Sequence, residues 1–153
     1  GLGDVYKRQQ LMLGALLISL SVVFHVIALI MITGLLKKIR PHIDKIHRMA
    51  RITLPMVGTV LAIILIHTIE AWTWAIVYLH LGEFDDLQQA LYFSVVTSTT
   101  LGYGDVTLSE EWQLLGTFEA MGGLILFGVS TAFLLELMRF LFGTAEVDRD
   151  EAA

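Results

Sequence analysis

Three long apolar runs, separated by charge, organise this chain. From Leu11 to Leu36, 26 residues pass without a charged side chain, well beyond the 18 or so that mark a membrane-spanning helix. A second run, Ile52 to Leu81, carries one acid, Glu70, and a third, Trp112 to Phe142, carries Glu119, Glu136 and Arg139. The pattern predicts an all-α membrane protein with three transmembrane helices. A signal peptide is the competing reading of the first run, but its apolar stretch is too long and no small-residue cleavage site precedes the basic segment that follows. Between the second and third runs lies LQQALYFSVVTSTT, too apolar to stay in water. It is also too short to cross: fourteen helical residues reach about 21 Å, against about 30 Å of hydrocarbon. The spacing predicts a helix that enters the membrane and stops partway, its start capped by Asp85 or Asp86. The chain then returns as TLGYGD, and backbone of that kind cannot face lipid.

Composition agrees with the pattern. Of 153 residues, 56% are hydrophobic and 16% charged, too apolar for an ordinary soluble domain. With no cysteine, disulfides and thiolate-bound zinc are excluded. The net charge of -5 is sorted by segment: residues 37–51 hold six of the ten bases, and none occurs from Ile52 to Met138. Positive charge marks the cytoplasmic side. The N-terminus is therefore expected outside, the basic loop 37–51 inside, the acidic segment 82–111 outside, and the tail 143–153 inside. In the basic loop Ile43, Ile46 and Met49 recur among Lys45, Arg48 and Arg51, as in a surface helix or in a plain solvated connector. The opening GLGDVYKRQ lacks an initiator methionine and resembles a translated cloning scar, so residues 1–9 are left out of the expected fold, and the first helix is expected over 10–36.

Glycine tolerates positive φ, so Gly102 and Gly104 let successive residues alternate in hand and turn consecutive carbonyls to one side. A row of carbonyl oxygens is a ligand set for a dehydrated monovalent cation, and four neighbouring chains would complete a ring at each level. The segment Thr100, Leu101, Gly102, Tyr103, Gly104, Asp105 resembles the pore loop of potassium channels, with leucine in place of the usual valine. The resemblance extends to Tyr92 and Phe93 in the pore helix, to Trp112 at the start of the inner helix, and to GGLILFGVSTA, Gly122 to Ala132. It implies a pore domain over 52–142: outer helix 52–81, pore helix 87–99, filter 100–105 and inner helix 112–142, preceded by one extra helix. It further implies a homotetramer whose carbonyls at Thr100, Leu101, Gly102 and Tyr103 coordinate K+, with the Thr100 hydroxyl completing the innermost site. Tyr103 would point away from the ions and pack on aromatics behind the filter. Asp105, Tyr92, Phe93 and Thr99 would support it. Leu124, Phe127 and Thr131 match cavity-lining positions, and Gly122 and Gly123 a hinge, although glycines there serve close packing equally well. Val96 stands where some relatives carry a glutamate that bonds the aspartate after the filter, so Asp105 needs another partner or water.

Three acids and histidines inside the membrane need partners. His67, Glu70 and Glu119 read either as a proton-sensing or filter-supporting cluster or, preferably, as structural glue. HTIE, His67 to Glu70, places two metal ligands on one helix, without a third at convincing spacing. His25 reads as a hydrogen-bonded packing residue, and Trp72, Trp74, Tyr78 and Trp112 as an aromatic belt at the outer interface. No arginine ladder marks a voltage sensor. GYG lacks the Lys-Ser/Thr and strand context of a nucleotide loop, so no enzyme, cofactor or nucleic-acid partner is expected. The reading is a potassium-selective channel of the cell membrane, the bacterial inner membrane by resemblance, with lipid as its surroundings. The alternatives are a non-selective cation channel, whose filter typically lacks the tyrosine, and a non-conducting accessory subunit.

Overall fold

The computed structural model describes residues 2–43 and 47–150, and these form four helices. They are α1 (Leu2–Ile43), α2 (Arg48–His80), α3 (Leu87–Ser98) and α4 (Gln113–Asp150). Three spans, Lys7–Ile43, Arg48–His80 and Gln113–Gly143, are long and apolar enough to cross a membrane. The protein is an all-α, multi-pass membrane protein. Its large side chains stay outward along each span, Ile30 and Met31 on α1, Leu61 and Leu65 on α2, Leu124 on α4, as hydrocarbon or a neighbouring subunit permits and water does not.

The helices run further than the apolar pattern. Leu2 to Gln9 continue α1 rather than standing apart, and Gln10, buried, donates from its side-chain amide to the Glu111 carbonyl in the loop before α4. At the other end α1 passes through Pro41. That proline removes one backbone donor, and the Lys37 carbonyl it would have served stands at an exposed helix end. The basic segment 37–51 is thus largely the ends of two helices, with residues 44–47 between them. Ile46 and Lys45, part of the amphipathic pattern, lie outside the described residues. His47 caps α2, its ring accepting from the Met49 amide.

A short helix, α3, stands where the spacing predicts one. Asp86, of the two candidates, caps it, its carboxylate accepting from the Gln89 amide at 3.3 Å. Helix α2 ends at Gly82 with φ 74°, where the Glu83 amide reaches back to the Tyr78 carbonyl at 3.1 Å, a Schellman closure. Glu83 then accepts from both the amide and the hydroxyl of Ser109, at 2.7 and 2.8 Å, tying the turn before α3 to the loop before α4.

Packed around α3 are α2 and α4, while α1 lies against α4 and α2. The core gathers behind the C-terminal half of this arrangement: Trp74, Ala75, Tyr78, Phe84, Ala90, Phe93, Leu108, Trp112 and Leu115, with Leu17 from α1. Tyr78 meets Phe93 and Phe84 edge to face, at 5.2 and 6.2 Å between ring centroids, a favourable aromatic geometry. Trp74, Tyr78 and Trp112 are therefore core residues and not an interfacial belt; only Trp72 remains exposed. Their rings lie on the side of α2 that α3 and α4 cover, which apolar composition alone does not distinguish from the lipid side.

The glycines of α4 have packing reasons. A Cβ on Gly123 would collide with the Ser98 carbonyl at the end of α3, and one on Gly122 would come within 3.2 Å of Ile18 on α1. In the reverse sense Gly14 of α1 admits the Phe118 ring, 2.6 Å from where its Cβ would stand. The helix is continuous through Gly122 and Gly123. Gly123→Ala is expected to destabilise the protein by about 1–3 kcal/mol through overpacking. Gly58→Ala, where an added methyl meets nothing within 4 Å, should change stability by less than about 1 kcal/mol. Thermal melting of the two variants in detergent checks this, and equal melting shifts would contradict the packing assignment.

Candidate functional site

Helix α3 ends at Thr99, and its last carbonyls are taken up by the segment that follows. Thr100 N–H donates to the Thr97 carbonyl at 2.9 Å, and Leu101 and Gly102 N–H both donate to Val96, at 3.0 and 3.2 Å. The Thr99 hydroxyl donates to Val95 at 2.7 Å. These bonds anchor the start of the segment by its donors and leave its acceptors over. Among the described residues, no donor reaches the carbonyls of Thr100, Leu101, Gly102 or Tyr103.

The hand of the backbone alternates. Thr100, Gly102 and Gly104 have φ of 59°, 53° and 77°, whereas Leu101 and Tyr103 keep negative φ. Glycine adopts positive φ without penalty, but a β-branched threonine does so only under constraint. Thr100 is the only non-glycine residue in the left-handed region among the described residues, and it sits at the first position of TLGYG. The whole stretch Thr99 to Asp105 is exposed on the single chain. Tyr103 is 68% exposed, and the aromatics behind the segment, Tyr78, Phe84 and Phe93, pack on one another instead. Packing of Tyr103 on aromatics is therefore absent within one chain.

Asp105 has a partner that Val96 cannot supply. The Tyr92 hydroxyl donates to its carboxylate at 2.7 Å, joining the outer part of α3 to the end of the alternating segment. The bond to Asp105 holds the Tyr92 phenol above its ordinary pKa of 10.0. The donor proton is therefore present throughout the neutral range and is lost only as pH rises past that raised value. Phe93, the next residue, is buried in the core.

Behind α3 lies Glu119, fully buried on α4. It accepts from the Tyr78 hydroxyl at 2.7 Å and from the Ser94 hydroxyl, which also lies within 2.8 Å of the Ala71 carbonyl. One carboxylate thus joins α2, α3 and α4 at the level where the short helix needs support. Of the expected cavity residues, Leu124 and Thr131 are exposed on α4. Phe127 is exposed as well, with one ring face turned to His67 at 4.2 Å.

A family model described as an ion channel matches residues 64–140. The chain belongs to this ion channel family. The matched half runs from the middle of α2 through α3 and the alternating segment into α4, so the geometry above is the channel's own part of the molecule. No curated protein and no solved structure gives a match. Helix α1 lies outside the matched region.

The channel's second buried network corrects the expected cluster of His67, Glu70 and Glu119. His67 and Glu70 do meet, Nδ1 to Oε2 at 2.9 Å, but Glu119 bonds elsewhere. The missing members are His25 of α1 and Ser130 of α4. His25 Nδ1 lies 2.9 Å from Glu70 Oε1, and the Nε2 atoms of His25 and His67 lie 3.0 and 3.1 Å from Ser130 Oγ. His25 is fully buried, and Glu70 and Ser130 are nearly so. The ring closes α1, α2 and α4 together, and sequence spacing could not reveal it because His25 stands on a different helix. Further along α4, Glu136 and Arg139 pair at 3.8 Å with both side chains largely exposed, a geometry worth little.

If the Tyr92–Asp105 bond holds the outer end of the segment, Tyr92→Phe and Asp105→Asn should each shorten the time for which current is sustained. The double variant should be no worse than the more severe single one. Macroscopic current decay in reconstituted bilayers measures this; additive effects would show that the two residues act separately.

Proposed function

We propose that four copies of this ion channel assemble around a common axis and conduct K+ selectively through rings of TLGYG carbonyls. The observation that carries the reading is the run of four carbonyls, Thr100 to Tyr103, without a donor among the described residues, on backbone of alternating hand. Polar backbone at membrane depth must find a partner. A ring of such oxygens replaces the hydration shell of a monovalent cation, as in potassium-channel filters. The Thr100 hydroxyl completes the innermost site, and Gly104 and Asp105 form the outer rim.

The same assembly gives the exposed residues partners. Tyr103 packs against aromatics of the adjacent copy, and Leu124, Phe127 and Thr131 face the central cavity. The carbonyl end of α3 presents its partial negative charge to a cation below the filter. The strained Thr100 is tolerated because its neighbours fix it, a cost of about 1–3 kcal/mol typical of such positions. By the positive-inside rule the basic ends of α1 and α2 lie in the cytoplasm, with the N-terminus outside and the filter's acidic mouth facing out. The channel resides in the cell membrane.

Purified protein in potassium-loaded liposomes is expected to release K+ down its gradient, with barium blocking the flux and sodium unable to replace potassium. Equal flux of the two ions would overturn the selectivity. A stable dimer without flux would overturn the channel assembly itself.

A further inference from the structure

The ring of His25, His67, Glu70 and Ser130 serves no step in conduction, yet its geometry is specific. Both Nδ1 atoms converge on one carboxylate, each taking a separate oxygen at 2.9 Å. Both Nε2 atoms converge on one hydroxyl. Two neutral imidazoles, a carboxylate and a serine carry three hydrogens between them, whereas four contacts of hydrogen-bond length need four. With both rings neutral, one of the four contacts is therefore left without a hydrogen.

We propose that this position is a binding site for one divalent transition ion of the zinc class, held by His25 Nδ1, His67 Nδ1 and the Glu70 carboxylate. Two histidines and one carboxylate are a familiar zinc ligand set, and the ligand atoms of the three residues lie within 4.8 Å of one another. With the ion in place both imidazoles carry hydrogen on Nε2 and donate to the two lone pairs of Ser130 Oγ. Metal-bound histidines regularly hand their other N–H to such an acceptor. The two Nε2 hydrogens then serve both contacts to Ser130, and no contact of the ring is left without one.

The surroundings supply the rest of a coordination sphere. A void of about 30 Å³ adjoins the ring, lined by His67, Glu70, Ser98, Glu119 and Gly123 among others. That is enough for a water as the fourth ligand. Glu119, already bonded to Tyr78 and Ser94, places a second carboxylate on the void against the charge of the ion. The ligands come from α1 and α2 and their common acceptor from α4, so one ion would staple the helix outside the family match to the two membrane-spanning helices of the pore.

The test uses the metal-stripped, detergent-purified protein and Co2+ as a spectroscopic probe. Titration should give the visible absorption of four-coordinate cobalt, saturating at one ion per chain. Zn2+ should displace it and raise the thermal midpoint. His25→Gln should abolish the cobalt signal, and Ser130→Ala should weaken affinity by about 10–100-fold. No saturable cobalt signal from the unaltered protein would overturn the site, as would a signal that survives His25→Gln in a protein of unchanged oligomeric size. Because none of these readouts requires ion flux, failure here leaves the potassium reading standing, and failure of flux leaves the metal site standing.

Discussion

A membrane interior leaves no backbone polar group unpaired without cost, and the molecule is organised around one place where four successive carbonyls lack a partner among the described residues. In helices the constraint is met internally. Between α3 and α4 it is not, where residues 100, 102 and 104 take left-handed backbone. The proposed conduction of K+ is one resolution of that imbalance: the missing partner is the transported cation, shared with three further copies.

Holding such a segment still takes most of the remaining structure. Helix α3 leads into it, and the amides of Thr100, Leu101 and Gly102 fasten it to the helix end. Gly123 allows α4 to approach the Ser98 carbonyl more closely than any side chain would permit. Tyr92 fixes Asp105 on the outer side, while Glu119 joins Tyr78 and Ser94 behind. Each contact is worth only about 0.5–3 kcal/mol, but all act on the one segment whose backbone departs from ordinary geometry.

The spans, the partway helix and the glycine-rich turn were legible because each rests on local properties: run length, apolar content and positive-φ tolerance. Asp86 as a cap follows from the same local chemistry. What depended on which face of a helix is covered was not legible. Trp74 and Tyr78 carry the composition of an interfacial belt, yet they face α3 and α4 and become core. Glu119 and Glu70 look alike in sequence but belong to separate networks. The partner of Asp105 was hidden because Tyr92 reads as an apolar aromatic until its hydroxyl is placed. His25 lies 45 residues from Glu70, and only the packing of α1 brings them together. Helix ends also outran the pattern, since Pro41 interrupts one hydrogen bond and not the helix.

Helix α1 is joined to the channel region by the buried histidine–glutamate–serine ring and by the fit of Gly14 and Ile18 against α4. The central claim nevertheless concerns the carbonyl row, and the reversal potential of reconstituted single channels under opposed potassium and sodium gradients tests it most directly. The account predicts a reversal potential close to the potassium equilibrium value; a value near zero, with both ions carrying current equally, would contradict it.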